Sequence, residues 1–207
     1  MRVPPEAPRV AAVILAAGCS SRMGPSNKLL LPIEGKPMLV HVVEAVLASG
    51  LAAVRVVTGH EADRVSGLLR DYPLEIVHNE RFAEGLSSSL RSGLVSLDQD
   101  TDAALICLGD MPWVRAGHLR SLVDRFASDG SGPICVPVHG DRQGNPVLWP
   151  RRFFDAICRL RGDVGARSLL GQHVDEIARV EVADDGVTVD IDDADALRFQ
   201  EERDPAC

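Results

Sequence analysis

A segment near the N-terminus combines the residue types of a phosphate-binding loop. The apolar run 10–15 leads into Leu15-Ala16-Ala17-Gly18, and two cations, Arg22 and Lys28, follow. Small side chains let a polyphosphate approach backbone N–H groups, while arginine and lysine neutralise its oxygens. The spacing matches neither the Walker A motif nor G-x-G-x-x-G. A flexible loop with solvated cations is the alternative, but the nearby cations favour a phosphate site.

Carboxylates suited to a divalent metal occur later in the chain. Asp110 follows the apolar run 103–108, and Asp190 and Asp192 lie near the C-terminus. Mg²⁺ prefers one or two carboxylates, with water and substrate phosphates completing its shell. If 188–191 is a strand, Asp190 and Asp192 face the same side, and either could share a metal with Asp110. The alternatives are a turn residue at Asp110 and a helix N-cap at Asp192 or Asp193.

Three further segments carry polar groups that a substrate could use. Gly85 precedes Ser87, Ser88 and Ser89 at a predicted helix start, where the hydroxyls either contact a base or ribose or cap the helix. Asn79, after the third strand, is a candidate base reader. A glycine-rich loop enters a strand at Asn145, and Arg167 lies beside a short helix. The predicted topology makes the segment 140–170 a candidate wall for a second substrate.

The elements that position these residues alternate along the chain. Strands are predicted at 10–15, 53–57, 74–77, 103–108, 134–136, 145–149, 177–182 and 188–191, and helices at 37–48, 61–69, 86–97, 116–126, 152–160, 165–170 and 194–202. The alternation and the unbroken apolar strands indicate an α/β fold of three layers, α/β/α, with a mostly parallel central sheet. Carboxyl ends of parallel strands share one edge, so Lys28, Asn79 and Asp110 are expected to meet there.

Composition narrows the class of protein. The chain has 207 residues, 45% of them hydrophobic, and a net charge of −8, which excludes a large basic face for nucleic acid. The cysteines number five and form no Cys-x-x-Cys, so a disulfide framework or zinc ribbon is not expected. The N-terminus lacks a signal-peptide pattern and no early apolar run could span a bilayer, which predicts a cytoplasmic protein without a membrane segment.

We expect a flexible arm, 1–9, and a single domain, 10–203, with a nucleotide-binding half at about 10–112 and an acceptor-side half at about 113–203.

The motifs together resemble a known superfamily. Leu15-Ala-Ala-Gly-x-Ser-x-Arg22-Met-Gly, Asn27-Lys28-Leu-Leu-Leu-Pro and Gly109-Asp-Met-Pro are similar to those of nucleotidyltransferases with a Rossmann-like fold. Gly144-Asn-Pro-Val147, Gly162-Asp-Val-Gly-Ala-Arg167 and Asp190-Ile-Asp192 narrow the resemblance to the molybdenum cofactor cytidylyltransferases. One departure is Asp192-Asp-Ala-Asp195 in place of Asp-Thr-Pro-x-Asp, which leaves the choice between Asp190 and Asp192 open.

The resemblance implies transfer of CMP from CTP to the terminal phosphate of molybdopterin, with release of pyrophosphate. It implies Mg²⁺, or Mn²⁺, as cofactor and a molybdenum hydroxylase as the recipient of the product. The implied catalytic residues are Arg22, Lys28 and Asp110, and the implied metal ligands are Asp110 with Asp192 or Asp190. The implied nucleotide contacts are Leu15, Ala16, Ala17, Gly18, Arg22, Lys28, Asn79, Gly85, Ser87, Ser88, Ser89 and Gly109, and the acceptor contacts are Asn145 and Arg167.

Three rival functions stay open beside this one. A nucleotidyltransferase acting on another phosphorylated acceptor, such as a sugar phosphate, or using GTP, would carry the same nucleotide loop. A carrier that inserts the molybdenum cofactor would have the same pocket with little turnover. An oxidoreductase is disfavoured because the chain has no flavin or dinucleotide fingerprint.

Overall fold

The structure is a computed structural model that describes residues 7–18 and 27–191. Its strands are β1 (Val10–Ala16), β2 (Pro32–Ile33), β3 (Lys36–Pro37), β4 (Ala53–Thr58), β5 (Glu75–His78), β6 (Ala103–Leu108), β7 (Ile134–His139), β8 (Arg142–Gln143), β9 (Val147–Pro150) and β10 (Ile177–Glu181). Its α-helices are α1 (Met38–Leu47), α2 (Ala62–Leu68), α3 (Leu86–Val95), α4 (Ala116–Ser128) and α5 (Phe154–Cys158). Among the described helices, none is long and apolar enough to cross a membrane.

The central sheet is mixed but mostly parallel. Its strands lie in the order β10-β7-β9-β6-β1-β4-β5, and the short strand β8 pairs with β7. β1 lies between β4 and β6 and is parallel to both, whereas β9 runs antiparallel between β6 and β7. Because β4, β5 and β6 end at the same edge as β1, the loops after these strands meet there. This confirms the predicted α/β class and the parallel core of the sheet.

Two apolar layers cover the faces of the sheet. In β1, alternate residues enter different cores: Ala12 and Ile14 pack with α1 and α4, and Val13 and Leu15 pack with α3 and α5. Side chains on a strand point alternately to opposite faces, so a strand buried on both faces is apolar throughout. Burial on both sides explains the unbroken apolar run and gives the three-layer arrangement that the sequence predicts.

The C-terminal part differs from the prediction. Residues 188–191 form no strand: a 3₁₀ turn at Asp185–Thr188 precedes an irregular segment ending at the buried Ile191. The prediction that Asp190 and Asp192 share a face of a strand is therefore wrong, because no strand forms at 188–191. The Asp190 side chain is exposed. Short 3₁₀ turns also replace parts of the helices predicted at 152–160 and 165–170. The predicted helix 194–202, together with Arg22 and Asp192, lies outside the described residues.

Only the end of the predicted N-terminal arm is described, at residues 7–9. There Arg9 is bound to the loop before β6, because its N–H donates to Asp102 Oδ2 at 2.8 Å and its carbonyl accepts from Asp102 N–H at 2.9 Å. These bonds extend the pairing of β1 with β6 by one residue beyond the strand.

Candidate functional site

The carboxyl end of β1 is held between the ends of β4 and β6. Leu15 O accepts from Gly109 N–H at 3.0 Å, and Ala17 O accepts from His60 N–H at 3.3 Å. A Cβ on Gly109 would lie 2.9 Å from Leu15 O, so only glycine permits this approach. Leu15 and Ala17 are thereby held beside the segments that carry Asp110 and His60.

Lys28 lies at the centre of this edge. Asn27 caps the 3₁₀ turn Lys28–Leu30 by accepting Leu29 N–H at 3.1 Å, and this cap presents the Lys28 side chain to the sheet edge. Lys28 Nζ lies 2.6 Å from Asp110 Oδ2 and donates to Ile191 O at 3.0 Å. The Lys28 and Asp110 side chains are only 15% and 20% exposed, so solvent screens their attraction weakly.

An apolar pocket adjoins the same edge on the α3 side of the sheet. It encloses about 420 Å³ of empty space, including the part that opens to solvent. Its lining comes from the end of β1, the first turns of α3, β6, β9 and the turn at 165–167, and comprises Leu15, Leu86, Leu90, Ile106, Leu108, Asn145, Val147, Trp149, Gly165, Ala166 and Arg167. Within that lining, Asn145 and Arg167 carry the polar side chains.

The beginning of α3 docks against the loop before this turn. Gly85 has a φ of 101°, and a Cβ there would collide with the backbone of Gly162. Ser87 N–H donates to Gly162 O at 3.2 Å, and Leu86 N–H donates to Asp163 Oδ1 at 3.3 Å. The segment 85–87 is therefore in direct contact with the segment 162–163.

Sequence comparison identifies the family that has this arrangement. The profile of the MobA-like NTP transferase domain matches residues 12–177, which is most of the chain. The chain belongs to the MobA-like NTP transferase family. The match confirms the predicted nucleotidyltransferase class, though not the narrower molybdenum cofactor subfamily.

Relatives of known name or structure agree with this family. The bifunctional protein GlmU of Rhizobium johnstonii is 35% identical over 135 residues, which is 63% of this chain but 29% of GlmU. Rv0371c of Mycobacterium tuberculosis H37Rv superposes with a TM-score of 0.84 at 27% identity, covering 95% of this chain and 99% of Rv0371c. A nucleotidyl transferase of Methanothermobacter thermautotroptrophicus gives a TM-score of 0.81 at 28% identity, covering 94% and 97%. A manganese complex of Rv0371c gives 0.80 at 25% identity, covering 94% and 98%. The chain thus spans under a third of the curated relatives named GlmU, but nearly all of these solved structures.

The structure brings together most of the site residues that the sequence singles out in this MobA-like domain. Leu15, Ala16, Ala17, Gly18, Lys28, Gly109 and Asp110 meet at the carboxyl edge of the sheet. Asn145 and Arg167 line the pocket next to it. Arg22 and Asp192 lie outside the described residues, and Asp190 is exposed one residue before Ile191.

Asn79, Ser88 and Ser89 form a buried hydrogen-bond network rather than a row of free hydroxyls. Asn79 Nδ2 donates to Ser88 Oγ at 2.8 Å and to Ser89 Oγ at 3.0 Å, and Asn79 Oδ1 accepts from Arg81 N–H. Ser87, Ser88 and Ser89 are all buried. In this arrangement the side chain of Asn79 shapes the loop 79–89, and its contact with a base stays a prediction.

Sequence reasoning missed two parts of the site. The pocket lining at Leu86, Leu90 and Trp149 has no distinct signal, because an apolar residue beside a cavity has the same sequence pattern as one beside another side chain. The spacing of Leu86 and Leu90, four residues apart on one helix face, is the one local sign that they act together. The pairing of His118 with Asp184, at 3.2 Å, has no local signal because 66 residues separate them.

Proposed function

We propose that this chain transfers CMP from CTP to the terminal phosphate of molybdopterin and releases pyrophosphate. The observation that supports the proposal is the Lys28–Asp110 pair at the sheet edge where Leu15 and Leu108, at the ends of β1 and β6, line an apolar pocket whose polar side chains are Asn145 and Arg167. A triphosphate at the first pair and an acceptor in the pocket would lie next to each other. The product would pass to a molybdenum hydroxylase, in the cytoplasm.

The chain's own residues position and neutralise charge in this reaction. An oxygen of the acceptor phosphate forms a bond to the α-phosphorus of CTP, and the bond from that phosphorus to the pyrophosphate oxygen breaks. The acceptor oxygen is already an anion, so no general base is needed. Backbone N–H groups at Ala16, Ala17 and Gly18, with Lys28 and Arg22, bind the triphosphate and stabilise the charge that develops on pyrophosphate.

The oxygen atoms around Lys28 suit Mg²⁺ or Mn²⁺. The Asp110 carboxylate and the Ile191 carbonyl both bind one cationic group, the Lys28 ammonium, and hard oxygen ligands are those that Mg²⁺ prefers. Asp110 would hold the metal together with Asp192 or Asp190. A divalent ion held there would neutralise negative charge on the phosphates of the nucleotide. The manganese complex of Rv0371c supports a divalent metal in this fold.

The pocket favours a flat ring system over a polyhydroxylated sugar as acceptor. Leu86, Leu90, Val147 and Trp149 present apolar surface, and each sugar hydroxyl buried against them would lose its hydrogen bonds to water. A pterin buries its ring faces without that loss, while its polar edge can reach Asn145. Arg167 at the rim suits the phosphate that the acceptor must carry.

The direct test is pyrophosphate release with CTP, GTP or ATP, each with and without molybdopterin. Release that requires CTP and the pterin supports the proposal. Release with GTP in place of CTP would identify guanine as the preferred base. Release with a sugar phosphate in place of molybdopterin would identify a sugar phosphate as the acceptor. Tight binding of the pterin without release would indicate a carrier.

Variants of the site give the matched control for this assay. We expect Lys28→Ala and Asp110→Ala to fold normally and to lose about 10²–10³-fold in turnover, the usual effect of removing a group that stabilises transition-state charge. Lys36→Ala and Asp124→Ala remove the same groups from positions away from the site, where Lys36 binds Glu44 and Asp124 is exposed on α4, and should keep wild-type turnover. Wild-type turnover in Lys28→Ala or Asp110→Ala would overturn the assignment.

A further inference from the structure

Residues 184–191, here called the strap, run alongside the segment that links β6 to α4. Ile191 N–H donates to Asp110 O at 3.1 Å at one end of the strap. In the middle, a Cβ on Gly186 would collide with Trp113 O, so the two backbones are in close contact. At the other end Asp184 meets His118 of α4. The strap therefore follows the chain that carries Asp110 from one end to the other.

The other side of the strap contacts the acceptor side of the site. Asn145 N–H donates to Val187 O at 2.7 Å, and a Cβ on Gly144 would collide with the same carbonyl. Arg142 Nη2 donates to Thr188 O at 3.1 Å. Val187 itself is fully buried. One eight-residue segment thus touches the pocket residue Asn145 and, through Ile191, both Asp110 and Lys28.

A buried histidine and a carboxylate fasten the far end of the strap. His118 is only 6% exposed, and its Nδ1 accepts from Arg115 N–H at 3.2 Å. That bond assigns the ring proton to Nε2, which lies 3.2 Å from Asp184 Oδ1. Asp184 Oδ1 also accepts from Gly186 N–H at 3.0 Å. The imidazole therefore connects the first turn of α4 to the beginning of the strap.

Asp184 stays ionised in this position. Its partial burial acts to raise its pKa, but the hydrogen bond from Gly186 and the neighbouring His118 and Arg115 outweigh burial and lower the pKa overall. An ionised carboxylate accepts a hydrogen bond more strongly than a neutral group does, and it attracts the neighbouring imidazole. The pair is thus suited to hold one register of the strap.

We propose that His118 and Asp184 are positioning residues for nucleotidyl transfer: they fix the strap so that Ile191 meets Lys28 and Asp110 while Asn145 faces the acceptor pocket. The proposal rests on the proposed function for its kinetic consequences only. Neither residue touches substrate. Residues that hydrogen-bond to metal ligands position those ligands in the same way, and removing such a residue commonly lowers metal affinity about 10–100-fold.

Three variants separate positioning from general stability. His118→Leu removes the hydrogen bond from Arg115 N–H and the polar contact with Asp184, whereas His118→Gln keeps an acceptor for Arg115 or a donor near Asp184. His173→Leu is the control, because His173 binds Glu176 at 3.0 Å in a comparable histidine–carboxylate pair outside the site. We expect the Mg²⁺ concentration for half-maximal pyrophosphate release to rise about 10–100-fold in His118→Leu, with a higher KM for acceptor, and to stay near wild type in the other two.

Two measurements on the same variants do not depend on turnover. Amide hydrogen exchange at Gly186 and Ile191 should accelerate in His118→Leu while exchange in β1 stays slow. Binding of MnCl₂, followed by electron paramagnetic resonance, should weaken in that variant alone. If the wild-type protein releases no pyrophosphate with any nucleotide, the proposed function fails, and these two measurements still decide the proposal.

The proposal is overturned if His118→Leu keeps wild-type strap exchange and Mn²⁺ affinity, or if His173→Leu changes both equally. Should His118→Leu not fold, Asp184→Asn replaces it, because this variant keeps the oxygen that accepts from Gly186 and His118 and loses only the charge. In Asp184→Asn, amide exchange in the strap should accelerate and Mn²⁺ affinity should fall, each by less than in His118→Leu. Unchanged values in a folded Asp184→Asn would then count against the proposal.

Discussion

Lys28 Nζ lies 2.6 Å from Asp110 Oδ2, so the cation expected to bind the triphosphate is paired with the carboxylate expected to bind the metal. The same ammonium group binds Ile191 O at 3.0 Å. If Asp110 and Ile191 O bind a divalent ion, as proposed, Lys28 occupies those oxygen atoms in the free protein. A bound triphosphate would then offer Lys28 another anion and free Asp110 for the metal.

Removing the Lys28 charge should therefore strengthen binding of metal alone. Without nucleotide, we expect Lys28→Met to bind Mn²⁺ about tenfold more tightly than wild type. This change uses only a part of the repulsion between two unit positive charges, which is roughly 4 kcal/mol at about 4 Å in an effective dielectric of 20. Electron paramagnetic resonance of free Mn²⁺ measures the affinity. Lys36→Met, which loses a cation that binds Glu44, is the control and should match wild type. Equal affinities in all three proteins would show that Lys28 does not compete with the metal.

Arg167 should affect the acceptor and not the nucleotide. Its Nη2 lies 3.4 Å from Gln143 O at the exposed rim of the pocket, where a phosphate on the acceptor can reach it. We expect Arg167→Ala to raise the KM for acceptor about tenfold, as for loss of a charged hydrogen bond of about 1.5–3 kcal/mol, and to leave the KM for CTP unchanged. Initial-rate kinetics with each substrate varied in turn make the measurement. Arg159→Ala, at another exposed position, is the control, and a raised KM for CTP would contradict the placement.

Gly93 allows α3 to pack directly on the sheet. A Cβ there would meet Val13 Cγ1 and, at 2.9 Å, Val57 Cγ2, so Gly93→Ala overpacks the core that supports the pocket. We expect it to lower the free energy of unfolding by about 1–3 kcal/mol. Gly67→Ala in α2 has no atom within 4 Å of the new methyl group and should stabilise the protein by about 0.5–1 kcal/mol. Urea unfolding of both variants measures the difference, and equal effects would refute the packing argument.

Acid stability should depend on Asp129, after the end of α4. Hydrogen bonds from Ser131 Oγ and N–H, with the Arg125 guanidinium 2.8 Å away, lower the pKa of Asp129 from 3.8 to about 2. A folded-state pKa below the unfolded value stabilises the protein above pH 3.8, and this contribution is lost as pH falls toward about 2. In Asp129→Asn, the free energy of unfolding should therefore fall less steeply than in wild type as the pH is lowered into the acid range. Ser131→Ala, which keeps only the backbone N–H, should have an intermediate slope, and a wild-type slope in Asp129→Asn would exclude this contribution.

The pairing of Lys28 with Asp110 could be anticipated, and that of His118 with Asp184 could not. Lys28 and Asp110 follow two apolar runs that become β1 and β6, and neighbouring parallel strands bring the loops after their carboxyl ends together. His118 lies on a helix and Asp184 in an irregular segment, so no periodicity relates them. The failed strand at 188–191 has the same origin: its pattern fits a strand, but Ile191 N–H pairs with Asp110 and not with a sheet partner.

The sequence by itself determined the layers, the parallel core of the sheet and the edge at which Lys28 and Asp110 meet, because burial on two faces is encoded in local apolar patterns and the twist of the strands makes crossovers right-handed. Only the tertiary structure decided the pocket and the strap. Leu90, Val147 and Ala166 become one lining, and Val187 and Ile191 connect Asn145 with Asp110, through contacts between segments far apart in the chain. Such contacts depend on which backbone groups lack partners after the sheet has formed, and no stretch of sequence contains that information.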